Sequence, residues 1–206
     1  MTPHPLAVLL DDAARGRFPD PDGLVEVLPP AGTAMAVVGF TAHYAIAVNL
    51  PEEWVRERLP EGDLIAPLSA PFLAELGSKI GRRDDGIDAV LAAGGLEGEP
   101  ALAETGAAAH PRAVRAFARR DEVRVFEGDG AVVTFGRGLA GRAEVSIEVE
   151  PAARGRGVAR RALVESRRLV GPDGVLFAQV APGNAASLRA FLRAGFEPIG
   201  SEALFL

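Results

Sequence analysis

The chain has 206 residues, of which 48% are hydrophobic and 24% are charged. These values exclude a largely disordered chain, and the absence of cysteine excludes a disulfide scaffold. A net charge of −6 argues against a general nucleic-acid-binding protein. The N-terminus lacks a signal-peptide pattern, and the longest mostly apolar stretch, residues 34–48, is too short to cross a bilayer. We expect a soluble, cytoplasmic protein that binds neither nucleic acid nor membrane.

Charge and composition divide the chain into two halves. Residues 1–100 carry a net charge of −9, whereas residues 101–206 carry +3. Between the halves, residues 94–110 are rich in Gly, Ala and Pro and show no hydrophobic period, which is typical of a linker or a long loop. We predict an N-terminal α/β half over residues 1–93, a linker over 94–110 and a second domain over 111–206.

The N-terminal half shows alternating helix and strand patterns. They predict helices over residues 5–14, 52–59 and 71–80, and strands over residues 25–28, 35–40, 45–50 and 87–92. The strand–proline–helix layout at Pro51 resembles the layout at Pro151, which suggests a degenerate internal repeat. Glu52 and Glu53 follow Pro51 and would repel a phosphate, so we expect one anion site, in the second half.

The second half has a clearer order of elements, and it predicts a mixed α/β sheet flanked by helices. Helices are predicted over residues 111–120, from 158 onward and over 184–194, and strands over 123–126, 131–135, 142–149, 175–181 and 196–206. Asn184 has the side chain of a helix N-cap, and Gly195 is a natural residue after the last turn of that helix.

A Gly-rich turn at residues 154–159 is the strongest chemical signal. It lies between a strand and an amphipathic helix, where the first helical N–H groups have no internal partner and favour an anion. Its glycines allow close approach of the backbone, and its arginines add charged donors, so a pyrophosphate is the natural ligand. A dinucleotide fingerprint is excluded because Arg160 replaces its third glycine, and the Walker A Lys-Ser/Thr is absent. The alternative is a turn whose arginines are merely solvated.

Two motifs resemble those of the GNAT superfamily of N-acetyltransferases. Arg154, Gly157 and Ala159 occupy the fixed places of that superfamily's acetyl-CoA signature, Gln/Arg-x-x-Gly-x-Gly/Ala. After one intervening strand, the segment from Asn184 to Gly195-Phe196 resembles its second motif, an Asn-led helix that ends in Gly-Phe. The resemblance covers about residues 111–206.

The resemblance implies a splayed central sheet that admits the pantetheine arm of acetyl-CoA, with the pyrophosphate on the Gly-rich turn. The pantetheine would pair with the main chain near Ile147 and Val149, and Asn184 and Ser187 would lie near the pantetheine or the adenosine phosphate. The implied cofactor-binding residues are Ile147, Val149, Arg154, Gly155, Arg156, Gly157, Val158, Ala159, Asn184, Ser187 and Phe191.

The usual acid and one usual base of the superfamily are missing. Phe191 stands where many members carry a tyrosine that protonates the thiolate, and Gln179 stands where some carry a glutamate base. We predict Glu144 as the catalytic base, and the alternative is that Glu144 is a solvated strand carboxylate. His43 or Tyr44 could replace the acid if the N-terminal half covers the wedge between the splayed strands.

Two functions follow from the resemblance. The first is an N-acetyltransferase that moves an acetyl group directly from acetyl-CoA to a primary amine of a small molecule or peptide. The second is a catalytically weak or inactive acyl-CoA-binding or interaction module. We expect a monomer or a homodimer. We expect no metal site, because the three histidines lack the spacing of metal ligands.

Overall fold

The boundaries of helices and strands follow the sequence signals closely. The structure is a computed structural model that describes residues 2–206, and within them it has six α-helices and ten strands. The helices are α1 (Pro5–Ala14), α2 (Glu52–Arg56), α3 (Ala70–Ile80), α4 (Pro111–Phe117), α5 (Val158–Ser166) and α6 (Ala185–Arg193). The strands are β1 (Val25–Leu28), β2 (Met35–Phe40), β3 (His43–Ala47), β4 (Asp84–Gly94), β5 (Ala103–Thr105), β6 (Asp121–Gly128), β7 (Ala131–Arg137), β8 (Ala143–Val149), β9 (Val175–Val180) and β10 (Glu197–Phe205).

The chain forms two compact units. The first contains residues up to Val90 together with Ile199–Leu206. Its strand order is β1-β3-β2-β10, in which β1 and β3 are parallel and the other neighbours are antiparallel. Its core packs α2 and α3 on this sheet through apolar side chains such as Ile46, Leu76 and Phe205.

The second unit, Leu91–Pro198, carries all of the predicted cofactor-binding residues and the predicted base Glu144. Its strand order is β9-β8-β7-β6-β5, with β8 and β9 parallel and the other neighbours antiparallel. Helices α5 and α6 cover one face, where Leu163 and Phe191 pack on Val145 and Leu176. Helix α4 packs on the other face.

The predicted mixed α/β fold is confirmed, but several predicted bounds are wrong. Strand β3 is His43–Ala47 and not 45–50, α2 ends at Arg56 and not at 59, α4 ends at Phe117 and not at 120, and β6 is longer than the predicted 123–126. The predicted linker over residues 94–110 contains the short strand β5, and β4 is longer than the predicted residues 87–92. Residues 199–206 group with the first unit rather than with 111–198, because β10 pairs with β2. The functional division into domains stays a prediction.

Among residues 2–206, no helix combines the length and the apolar character that membrane crossing requires.

Candidate functional site

Strands β8 and β9 diverge within the second unit. Strand β8 pairs with β7 along its whole length, from Ala143 opposite Arg137 to Val149 opposite Ala131. With β9, by contrast, the only residue of β8 in register is Glu144, opposite Phe177. The sheet is therefore splayed beyond Glu144, as the sequence predicts, and one edge of β8 is open.

The main chain of Ile147 and Val149 lies on this open edge. The N–H of Glu150 donates to the carbonyl oxygen of Gly130 on the β7 side (2.9 Å). Because hydrogen-bonding direction alternates along a strand, Val149 and Ile147 direct their main-chain groups to the opposite side. The carbonyl oxygen of Val149 accepts a bond from Nε of Arg154 (3.0 Å). The open edge can therefore pair with an extended ligand, as an added strand would.

A Gly-rich turn follows β8 and leads into α5. Gly155 and Gly157 both have left-handed backbone, with φ of +75° and +77°, which disfavours residues that carry a Cβ. A Cβ at Gly155 would meet nothing within 4 Å, so the turn is open on that side. Gly157 is the N-cap of α5, and the helix begins at Val158, the predicted residue.

The start of α5 differs from the starts of the other α-helices among residues 2–206. Side chains cap four of the six α-helices: His4 caps α1, Ser69 α3, His110 α4 and Asn184 α6. Helix α2 has no side-chain cap but carries two glutamates in its first turn. Helix α5 has neither a cap nor an acidic residue there.

The N–H groups at this start are therefore unsatisfied. Within residues 2–206, no backbone carbonyl accepts from the N–H groups of residues 155–160. Consecutive free N–H groups at the positive end of a helix form a binding site for a phosphate. The predicted residues Arg154, Gly155, Arg156, Gly157, Val158 and Ala159 all belong to this segment.

Arginines give the turn a positive charge. Nη1 of Arg161 donates to the carbonyl oxygen of Arg156 (2.9 Å), and Nε of Arg160 donates to that of Arg193 on α6 (3.2 Å). The side chain of Arg156 is exposed and forms no ion pair with any residue from 2 to 206. A cavity of about 520 Å³ borders the same helix start, between α5, β5 and the turn at residues 127–129. Of residues 154–159 only Val158 lines this cavity, so the cavity lies beside the start of α5 and not along the open edge of β8.

Asn184 and Ser187 form the predicted cap of α6, whereas Phe191 lies in the core. The Asn184 side chain accepts from the N–H of Ser187 (3.1 Å). Phe191 is 3% exposed and packs edge-to-face on Phe196, with ring centroids 5.0 Å apart. Phe191 has no proton to donate, and its predicted contact with a cofactor stays a prediction.

Glu144 is buried between two guanidinium groups. Its Oε2 accepts from Nε of Arg120 and its Oε1 from Nε of Arg142, each at 2.7 Å, and its side chain is 5% exposed. Burial by itself would raise the pKa of Glu144, but the charges of Arg142 and Arg120 outweigh it and hold the pKa below its ordinary value.

This geometry bears on both interpretations of Glu144. The solvated-carboxylate interpretation is wrong, because the side chain is buried and both of its oxygens are paired. A lowered pKa also makes a carboxylate a weaker base, so the pairing does not favour the predicted catalytic role. The partners Arg120 and Arg142 could not be recognised from the sequence, because arginines are usually solvated.

His43 and Tyr44, the alternatives for the missing acid, are engaged within the first unit. The ring nitrogens of His43 lie 3.0 Å from Asp22 Oδ1 and 3.0 Å from Glu26 Oε1. The Tyr44 hydroxyl donates to the carbonyl oxygen of Leu64, and burial raises the pKa of Tyr44. These partners give both side chains a structural role.

Comparisons with known proteins find similarity at the level of solved structures. A scan against protein-family models and a search of curated proteins found no match. A GCN5-related N-acetyltransferase from Kribbella flavida is 17% identical over 66% of this chain and 63% of its own, with a TM-score of 0.39. A GNAT-family acetyltransferase from Colwellia psychrerythraea is 12% identical over 66% and 62% (TM-score 0.41), and a GCN5-related N-acetyltransferase from Sphaerobacter thermophilus is 16% identical over 66% and 56% (TM-score 0.39).

These similar solved structures are GNAT acetyltransferases, members of the superfamily that the two sequence motifs resemble. The chain spans less than two thirds of the length of each of them. Because the identities and TM-scores are low, the function of the chain has to be inferred from its own residues.

Proposed function

We propose that the chain is an N-acyltransferase that moves an acetyl group from acetyl-CoA directly to a primary amine of a small molecule or peptide. The observation that carries the proposal is the continuity of the open edge of β8 with the uncapped start of α5. An extended arm that ends in a pyrophosphate matches both features at once, because the edge takes main-chain-like groups and the turn takes anions.

The residues of the turn fit acetyl-CoA. The left-handed glycines keep Cβ atoms away from a phosphate, and the free N–H groups of residues 155–160 supply donors. Main-chain groups of Ile147 and Val149 would hold the pantetheine arm. When bound, acetyl-CoA would supply an acetyl thioester. The amine nitrogen would bond to the acetyl carbon as the carbon–sulfur bond breaks. The amine would lose one proton and the released thiolate would gain one, so that the products are an amide and free CoA thiol.

Glu144 has a positioning role in this proposal. Its carboxylate fixes the guanidinium groups of Arg120 and Arg142 at the point where β8 and β9 separate. A carboxylate held by two cations stays ionised and keeps its oxygens occupied. The amine proton then leaves through another group or through water.

A second candidate function is an acyl-CoA-binding module without catalysis. Two observations favour it: Phe191 cannot donate a proton, and the Gln179 amide cannot titrate. Both candidates require cofactor binding at the turn, so binding and turnover have to be measured separately.

The decisive experiment is calorimetric titration with acetyl-CoA of the wild type and of Ala159→Glu. The new carboxylate would stand in the first turn of α5, where a helix tolerates it but a phosphate is repelled. We expect affinity to fall by about tenfold or more, which is about 1.4 kcal/mol. Ala7→Glu is the matched control, because Ala7 is also partly buried in the first turn of a helix, α1 in the first unit.

Each outcome decides between the candidates. Binding that is lost in Ala159→Glu but kept in Ala7→Glu, with thiol release over a panel of amines, supports the transferase. The same binding without release for any amine supports the module. A wild type that binds neither CoA nor acetyl-CoA contradicts both.

A further inference from the structure

Unpaired buried donors gather around β8. Within residues 2–206, three buried side-chain atoms have no hydrogen-bond partner: Nε of Arg112, Nη1 of Arg120 and Nε2 of Gln179. All three are N–H donors, and none is an acceptor. Buried donors without partners are unfavourable, so three of them in one neighbourhood favour the binding of an acceptor group there.

Arg120 and Gln179 belong to one cluster. Nη2 of Arg120 donates to Oε1 of Gln179 (3.3 Å), while Nε of Arg120 binds Glu144. Gln179 lies two residues beyond Phe177, the last residue of β9 that is in register with β8. Nη1 of Arg120 and the Gln179 amide, which lies close enough to Glu144 to help lower its pKa, are therefore held at the point where the strands separate.

The cluster lies on the face of the sheet that α4 covers. Glu144 and Glu148 share this face with Val132, which packs on Ala113 of α4. Arg112 of α4 faces Glu148, with 3.6 Å between Nε and Oε2. The opposite face is covered by α5 and α6, and the anion-binding turn leads into α5. If acetyl-CoA approaches by that turn, the face of α4 is left for the acyl acceptor.

The charges in the cluster favour an anionic group. Both oxygens of Glu144 are already taken by Arg120 and Arg142. Burial lowers the pKa of the Arg120 guanidinium, and the neighbouring charges of Arg142 and Arg112 add to the effect, whereas Glu144 opposes it. A further anion beside Arg120 would therefore stabilise its charge.

We propose that the acyl acceptor is an amine that also carries a carboxylate, such as a free amino acid, and that Arg120 and Gln179 bind this carboxylate. Its two oxygens match the two unpaired donors, one on each side chain. The side chain of Arg120 is 10% exposed and Gln179 is partly buried, so a bound carboxylate has to displace the neighbours that cover these donors. The inference rests on the proposed transferase function.

The test compares amino acids with their decarboxylated counterparts. Thiol release is measured with leucine and isopentylamine, phenylalanine and phenethylamine, and lysine and cadaverine. We expect at least one amino acid to exceed its counterpart in kcat/KM by about tenfold or more, because hydrogen bonds between charged groups are stronger than those between neutral groups. Binding of N-acetylleucine and N-isopentylacetamide to the CoA complex is followed by NMR titration as a readout without turnover.

Gln179→Glu is the decisive variant. The new carboxylate can still accept from Arg120 but repels the carboxylate of an acceptor, and urea denaturation of the variant checks that the fold withstands the second charge beside Glu144. We expect the preference for the amino acid, and for N-acetylleucine in the titration, to fall by about tenfold or more. The affinity for CoA should change by less than about twofold. Ala7→Glu changes the net charge equally and should leave the preference intact.

The outcomes separate this inference from the proposed function. Amines without a carboxylate that react as well as the amino acids, or a preference unchanged in Gln179→Glu, would overturn the inference while leaving the transferase. If no amine reacts but CoA binds, equal binding of the two amides overturns it, and selective binding of N-acetylleucine supports it. Absence of CoA binding would overturn the proposed function itself.

Discussion

The two ends of β8 differ in whether their polar groups have partners within the protein. At the first end, Glu144 is in register with both neighbouring strands, and two guanidinium groups occupy its carboxylate. At the last end, Val149 pairs with β7 alone, and the turn that follows leaves its N–H groups without backbone acceptors. The first end of this seven-residue strand thus carries a saturated carboxylate, although donors of Arg120 and Gln179 beside it stay unpaired, and the last end leads into unsatisfied backbone N–H groups.

The difference follows from solvation. A buried carboxylate has to be paired within the protein because water cannot reach it, whereas N–H groups at an exposed helix start can be solvated until a ligand arrives. We therefore expect substitutions at the first end to change the stability of the fold. Substitutions at the last end should change ligand affinity more than stability.

Glu144→Gln should have the largest effect on stability. The amide leaves the guanidinium groups of Arg120 and Arg142 buried without their counter-charge, and breaking a buried ion pair in this way costs about 3–5 kcal/mol. Urea denaturation of the wild type and the variant measures this change. A variant of unchanged stability that loses turnover near neutral pH would instead support the catalytic base predicted from the sequence.

The contribution of Glu144 should also depend on pH. Its pKa is lower in the folded chain than in the unfolded chain, so the folded state holds the proton less tightly. The stabilisation is therefore fully present above the unfolded pKa of about 4.3 and is lost as the pH falls through the folded pKa. Between about pH 7 and pH 3, the stability difference between wild type and Glu144→Gln should narrow only at the acidic end.

The last end of β8 could be predicted from the sequence because its signals are local. Gly155 and Gly157 next to a helix start, and Asn184 three residues before Ser187, interact within a few residues of one another. The saturated end could not be predicted in this way. Arg120 is 24 residues from Glu144, and no local pattern distinguishes a buried arginine from a solvated one.

The elements of the fold also differ in whether local sequence signals are enough to predict them. Strands β1 and β2 and helix α1 have the predicted bounds, because clear periods and turn residues delimit them. Strand β5 has three residues and only Ala, Glu and Thr, which show no period, and pairing with β6 alone makes it a strand. The separation of β8 and β9 is a property of two segments, so the motif resemblance, and not a local pattern, predicted it.

Gly157→Ala should have the second-largest effect, and it should lower both the stability of the fold and the affinity for acetyl-CoA. The left-handed backbone costs a residue with a Cβ about 1–2 kcal/mol, and a Cβ here would lie 3.2 Å from Nη1 of Arg161. We expect a loss of stability of that size and a several-fold loss of acetyl-CoA affinity, measured by denaturation and calorimetry. Gly106→Ala is the matched control, because Gly106 has open space and no positive φ. Equal losses in both variants would contradict a special role of the turn.

Asn184→Ala should cost about 1 kcal/mol of stability, the usual contribution of a helix cap. Its side chain accepts the N–H of Ser187, so α6 is complete without a ligand, unlike α5. Ser69→Ala removes the corresponding cap of α3 in the first unit and should cost a similar amount. Of these two variants, we expect only Asn184→Ala to weaken acetyl-CoA binding as well as stability. An affinity equal to that of Ser69→Ala would remove Asn184 from the predicted cofactor site.

Arg154→Gln should have the smallest effect on stability, below about 0.5 kcal/mol, because the side chain is exposed. Its Nε nevertheless bonds the carbonyl oxygen of Val149, so it joins the turn to the open edge of β8. We expect acetyl-CoA affinity to fall a few-fold at low ionic strength. Because salt of about 1 M reduces the screening length to about 3 Å, the difference from the wild type should shrink there if the guanidinium acts through its charge. A difference that persists in high salt would indicate that Arg154 acts through the hydrogen bond to Val149, and thus through the shape of the open edge.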